Sequence, residues 1–190
     1  MNRIDNYRFY ISGIIDHGFT PQGLRWNSSH SQEIRFEQLF SLLPNGCLSI
    51  VDAGCGFGDL CHYIRIRRND ITYVGIDSVD IAVREARTRT GATILHRDIL
   101  RDSLPEADYY LCSGALNILT RQGAITFIER CFHASREGMI FNFLEGEKES
   151  KIYNYFQLSE IQLLGERLGA KMAFRCSYYE SDCTVAFYKR

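Results

Sequence analysis

Val51-Asp52-Ala53-Gly54-Cys55-Gly56-Phe57-Gly58 is the stretch on which the reading of this chain turns. The apolar run Cys47-Leu48-Ser49-Ile50-Val51 before it reads as a strand, and Phe57 to Arg67 after it as a helix. Between them the glycines permit backbone angles closed to other residues and let a ligand lie against the main chain. The helix that follows would present unpaired N–H groups at its first turn. A glycine-rich segment alone is weak evidence, but this one sits between a strand and a helix. In addition, Asp77 closes the next strand about 20 residues on, the placement that holds a ribose diol with a carboxylate.

Outward from this stretch the pattern alternates. Ile71 to Ile76, Thr93 to Leu95, Tyr109 to Cys112 and Gly138 to Phe143 read as further strands. Asp80 to Arg89 and Arg121 to Ser135 read as helices. Such alternation predicts a parallel sheet covered on both faces. Near the end, Leu158, Ile161, Leu164 and Leu168 form a helical stripe closed by Gly169. Two strands follow, Lys171 to Tyr178 and Thr184 to Lys189, joined by a turn at Glu180-Ser181-Asp182, and a turn that short makes them antiparallel. The expected fold is α/β, doubly wound, with a mostly parallel seven-stranded sheet, a reversed last strand and N-terminal cap helices. Residues 1–45 would be the helical cap and 46–190 one compact unit.

The cap carries its own signal. Ser28 to Leu43 reads as a helix with Phe36, Leu39, Phe40 and Leu43 on its apolar face. At about 100° per residue, Gln32 falls within that arc and Ser28 and Arg35 on its border. Polar groups turned toward a core need partners, which are either water at an edge or a ligand. The turn-rich stretch before this helix, Gly18 to Asn27, contains Trp26, the only tryptophan.

Composition excludes several classes. The 190 residues fit one domain, and 22 basic against 23 acidic side chains give no global pull toward nucleic acid or an anionic membrane. Arg65, Arg67 and Arg68, and Arg84, Arg87 and Arg89, read as solvated helix ends, with a nucleic-acid patch as the competing reading. No run approaches membrane-spanning length, and Met1 to Ile15 is too polar for a secretory signal. The seven cysteines show no metal-ligand spacing, so reduced thiols in a cytoplasm are expected, with no disulfide framework and no metal.

The glycine spacing narrows the nucleotide. A dinucleotide fold uses G-x-G-x-x-G, whereas this chain has G-x-G-x-G with Asp59 where the third glycine would stand. A carboxylate there repels a pyrophosphate and tolerates a cationic, phosphate-free ligand. The absence of a Tyr-x-x-x-Lys pair also speaks against an NAD(P)-dependent oxidoreductase, which stays as an alternative. No Gly-Lys-Ser or Gly-Lys-Thr of a P-loop is present.

Taken together, these features resemble the class I (Rossmann-like) S-adenosylmethionine-dependent methyltransferase superfamily. Val51 to Gly58 is similar to its first motif, Asp77 to its ribose-binding acid, Arg97-Asp98-Ile99 to its adenine-binding segment, and Asp108 to Ser113 to its fourth-strand motif. The resemblance implies S-adenosyl-L-methionine as cofactor. It implies binding by Asp52, Gly54, Cys55, Gly56, Asp77, Ser78, Asp98, Ile99 and Ser113, with Arg35, Gln32 and Trp26 at the cofactor's carboxylate. Ligands sit beyond the C-terminal ends of parallel strands, which offers Asn117, Glu145 and Tyr153 to the acceptor. No side chain is assigned as catalyst. Ser113-Gly114-Ala115-Leu116 replaces the Asp/Asn-Pro-Pro-Tyr of nucleobase amino-methyltransferases and no Pro-Cys precedes it, so a small-molecule acceptor is favoured over nucleic acid. A cofactor-binding protein without catalysis is the other alternative.

Overall fold

A computed structural model describes residues 6–46 and 48–190; Cys47, read above as the first residue of a strand, and residues 1–5 of the proposed cap lie outside them. Helices α1 (Asn6–His17) and α2 (Ser29–Ser41) flank a 3-10 turn at Pro21–Leu24. The body then runs β1 (Leu48–Ala53), α3 (Asp59–Arg65), β2 (Ile71–Asp77), α4 (Asp80–Thr90), β3 (Thr93–His96) and β4 (Ala107–Cys112). It continues through α5 (Arg121–Ala134), β5 (Ser135–Glu145), β6 (Tyr155–Phe156), α6 (Leu158–Arg167), β7 (Lys171–Cys176) and β8 (Asp182–Tyr188).

Successive strand residues point to opposite faces, and strands apolar on both need a layer on each side. Val51, Ala53, Tyr110, Cys112, Met139 and Phe141 pack against α5 and α6. Ile50, Tyr109, Leu111, Ile140 and Ala186 pack against α2, α3 and α4. The strand order is β3-β2-β1-β4-β5-β8-β7, parallel except for β8, which runs antiparallel to both β5 and β7. The reversed last strand is therefore present and sits between two strands of the opposite sense. The eighth strand, β6, adds two residues parallel to the end of β5 and lies off the main path, too short to leave a periodic trace in sequence.

Local chemistry sets the helix starts. Ser28 caps α2: its hydroxyl accepts from Ser31 N at 3.1 Å, and the Ser31 hydroxyl accepts from Ser28 N at 3.1 Å. Thr120 caps α5 by accepting from Gly123 N at 3.0 Å. Helix α3 begins at Asp59, two residues later than the pattern suggests, because Gly58 stands in the left-handed region and interrupts the helical run.

Two expectations about surface and redox chemistry meet the structure here. Arg65, Arg67, Arg68 and Arg87 donate to main-chain carbonyls of Thr90, Tyr63, Pro44 and Ile94, and Arg84 and Arg89 pair with Asp80 and Glu85. Both clusters thus have partners within the fold. The expectation of wholly reduced thiols is corrected at one place. Cys176 and Cys183 face each other in the β7–β8 register, with Cα atoms 4.0 Å apart, and are joined as a disulfide. Their spacing in sequence did not show it, because the register that opposes them follows from where the hairpin turns. Cys55, Cys61, Cys112 and Cys131 are free and buried. Among the described residues no helix is long and apolar enough to cross a membrane.

Candidate active site

A cavity of about 680 Å³ opens beyond the C-terminal ends of the parallel strands, where the loops after β1, β2, β3 and β4 converge under α1 and α2. The glycine turn forms its floor. Gly54 N and Cys55 N both donate to Ile76 O, at 2.8 and 3.0 Å, which fastens the turn to the tip of β2. Gly54 and Gly56 both have positive φ. A side chain at Gly54 would also strike Ala115, whose methyl lies 2.7 Å from the Cβ position, and one at Gly56 would strike Leu24 at 2.5 Å. Loop and cap leave these two positions no room.

Asp77 is the link between turn and strand. Its Oδ2 accepts from Gly56 N and its Oδ1 from Val79 N, both at 2.9 Å. The bond to Val79 opens α4, whose capping residue is Val79. A carboxylate accepts about four hydrogen bonds, so these two leave capacity facing the cavity. Burial raises the Asp77 carboxyl, opposed by the main-chain donors at Val79 and Gly56.

Asp52, at the end of β1, is buried and accepts from the Tyr73 hydroxyl at 2.6 Å. Burial pushes its carboxyl up to about 7; the Tyr73 bond opposes this, while Asp77 and Asp59 add to it. The folded value lies above the unfolded one, so between about pH 4 and 7 the folded chain holds the extra proton and stability falls as pH rises. At ~1.4 kcal/mol per pKa unit, ligand-free wild type is expected to lose stability on the order of a few kcal/mol across that window. Asp52→Asn, which keeps an acceptor for Tyr73, should lose less. Melting curves of the two that shift in parallel with pH would refute it.

The β4 exit is held by Asn142 of β5. Its Nδ2 donates to Ser113 Oγ at 3.1 Å and its Oδ1 accepts from Gly114 N at 3.0 Å. Asn117 lies in the 3-10 turn that follows, and its carbonyl accepts from Asn154 N at 2.6 Å. That bond ties the loop after β4 to the loop after β5. Tyr153 and Tyr155 flank Asn154 and both line the cavity. From α1, Tyr10 also faces it; burial and then the Asp77 charge hold its hydroxyl well above the ordinary tyrosine range.

The structure brings Trp26, Gln32, Arg35, Asp52, Gly54, Cys55, Gly56, Asp77, Ser78, Asp98, Ile99, Ser113, Asn117 and Tyr153 to this one cavity. Glu145 does not reach its lining. It lies at the end of β5, where its main-chain N–H donates to Ser181 O at 2.6 Å. Several of the others are already engaged. Gln32 Nε2 donates to Asp59 Oδ2 at 3.0 Å, and Arg35 is paired with Asp182. Asp98 Oδ1 accepts from Leu100 N at 2.9 Å within its own turn. Tyr73, Tyr10 and Asp182 are absent from the sequence-derived set. Tyr73 had a usable signal: β1 and β2 align Asp52 with Gly75, so Tyr73, Gly75 and Asp77 share the face on which Asp52 stands. Tyr10 reaches the cavity, and Asp182 reaches Arg35 at its edge, through tertiary packing alone.

Residues 50–138 match a family model described as a methyltransferase domain. No curated protein sequence matches the chain. Solved structures do resemble it. Magnesium protoporphyrin IX methyltransferase from Synechocystis PCC 6803, with bound SAH, is 16% identical over 85% of this chain and 84% of that one, with a TM-score of 0.67. Human N-acetylserotonin methyltransferase, in complex with SAM, is 15% identical over 88% of this chain and 54% of that one, with a TM-score of 0.69. A small RNA methyltransferase is 14% identical over 85% of this chain and 25% of that one, also with a TM-score of 0.69. At these identities the likeness establishes the fold.

Proposed function

We propose that this chain belongs to the class I (Rossmann-like) S-adenosylmethionine-dependent methyltransferase superfamily and carries the methyl group of S-adenosyl-L-methionine to a small-molecule acceptor by in-line displacement. The observation that carries this reading is the joint between Gly56 N and the Asp77 carboxylate, inside a cavity large enough for a nucleoside and a second small molecule. The residues fit the cofactor's chemistry. Asp77 accepts only, and a ribose diol donates. Asp52, Asp59 and Asp77 line the cavity around the glycine turn and oppose a pyrophosphate there, while Arg25, Arg35, Arg97 and Arg101 line it as well, which suits a ligand carrying both a positive and a negative group.

The cofactor supplies a methyl group on a sulfonium, already a good leaving group, so the protein's share is position and electrostatics. In this reading Asp77 and Ser78 hold the ribose, Asp98 and Ile99 the adenine, and Asp52, Gly54, Cys55 and Gly56 the floor beneath the sulfur. Ser113 borders the methyl end, and Trp26, Gln32 and Arg35 close the amino-acid end as part of a cap over the 46–190 body. Asn117 and Tyr153, with Tyr10 and Tyr155, border the acceptor. Tyr10 keeps its proton and serves as a hydrogen-bond donor rather than a base. Alignment of the reacting atoms can then supply roughly 7–11 kcal/mol in the best cases without a dedicated base.

The wild-type chain is expected to bind adenosylhomocysteine and not NAD in calorimetry, and to move a labelled methyl group to a member of a metabolite panel rather than to RNA. Binding of NAD in place of adenosylhomocysteine overturns the assignment. Methyl transfer to RNA alone overturns the acceptor class.

A further inference from the structure

The turn between β7 and β8 lies at the same end of the sheet as the cavity, because β7 runs in the sense of β5. Asp182, the first residue of β8, turns its carboxylate to α2 and is 1% exposed. Arg35 Nε donates to Asp182 Oδ1 at 2.8 Å, Nη2 lies 2.6 Å from Oδ2, and Nη1 donates to Ser31 O at 3.2 Å. The Trp26 ring centroid is 4.9 Å from the Arg35 guanidinium carbon and that of Tyr179 is 5.5 Å away. Trp26 in turn covers Gly114, where a Cβ would sit 3.0 Å from the indole. Gly114 follows Ser113, so the chain of contacts runs from the hairpin turn to the loop at the methyl end.

A buried ion pair is poor evidence for net stability, since desolvating both charges offsets most of their attraction. Its more telling property here is geometric. The bidentate pairing fixes the plane of the guanidinium. Of its five N–H groups, that on Nε and one on Nη1 donate to Asp182 and Ser31, and Nη2 is held 2.6 Å from Asp182 Oδ2, so both terminal nitrogens keep a hydrogen for another acceptor. Arg35 lines the cavity, so an anionic group there would meet those remaining donors.

We propose that Asp182 is a positioning residue for the amino-acid end of the cofactor, acting through Arg35 and Trp26. This rests on the reading of the cavity given above. Asp182 never touches the cofactor. It sets the edge that Arg35 presents to the cofactor's carboxylate and keeps the indole against Gly114. A segment 147 residues from Arg35 along the chain thereby belongs to the binding machinery.

Trp26 is the only tryptophan, so its emission reports this contact directly. The full chain is titrated with adenosylhomocysteine as wild type, Asp182→Asn, Arg35→Met and the double variant. Asp182→Asn is expected to shift the Trp26 emission of the free protein and to weaken binding about fivefold or more, and Arg35→Met about tenfold. Because Asp182 acts through Arg35, the double variant should bind no more weakly than Arg35→Met alone. It also buries no unpaired charge, so this comparison stands even where Asp182→Asn fails to fold. Asp182→Asn with unchanged affinity overturns the proposal, as does a double variant whose loss is the product of the two single losses. A wild-type chain that ignores adenosylhomocysteine overturns the reading of the cavity, and this proposal with it. Wild-type binding that survives Asp182→Asn overturns this proposal alone.

Discussion

Asp77→Ala is expected to weaken adenosylhomocysteine binding at least tenfold. In the proposed binding mode the substitution removes the acceptor of two ribose hydroxyls, and hydrogen bonds to a charged group are worth about 1.5–3 kcal/mol each. It also releases Gly56 N, whose 2.9 Å bond to Oδ2 holds the glycine turn against β2. Stability should change much less than affinity. Burial of the Asp77 carboxylate is itself unfavourable, as its raised pKa records, and its removal offsets part of the lost main-chain bonds. Calorimetry for affinity and thermal melting for stability separate the two. A variant that melts early yet binds normally would make Asp77 a helix-starting residue and nothing more.

Phe187→Ala is expected to produce the largest loss of stability, about 3–5 kcal/mol. Phe187 lies in β8, fully buried, with its ring edge-on to Phe141 at 5.3 Å and Phe132 at 6.2 Å. Gly165 of α6 approaches so closely that a Cβ there would lie 2.9 Å from the ring. The ring thus fills the space among β5, α5 and α6, and little around it is free to collapse. For a domain of this size the melting temperature should fall by roughly 6–20 °C. A fall of under about 3 °C would show that the core repacks around the void.

These two residues also mark what the sequence makes legible. Asp77 closes an alternating apolar run about 20 residues after a glycine turn, and both signals are local. The parallel strands were readable for the same reason, since strands apolar on both faces stand out as continuous runs. The start of α3 was not, because the pattern of apolar residues is silent on whether Gly58 takes a positive φ. Strand topology alone offers Glu145 to the acceptor, yet it stands outside the cavity lining, at the end of β5 where its main chain binds the β7–β8 turn. Helical spacing turns Gln32 into the apolar arc and Arg35 to its border, and both are buried, but spacing is silent on their partners: β8 brings Asp182 to α2, and α3 brings Asp59. The Cys176–Cys183 disulfide follows the same logic, since it depends on strand register and not on spacing in the chain.

The bond from Asn154 N to the Asn117 carbonyl has a practical consequence for redesign. It couples two walls of the cavity that an engineer would wish to vary separately when changing what the cavity accepts. Shortening or replacing residues 146–153 would drag the 3-10 turn with it and displace Asn117. Libraries aimed at a new specificity should therefore diversify both loops in concert, or hold Asn154 and the length of its segment constant while changing the side chains on either side.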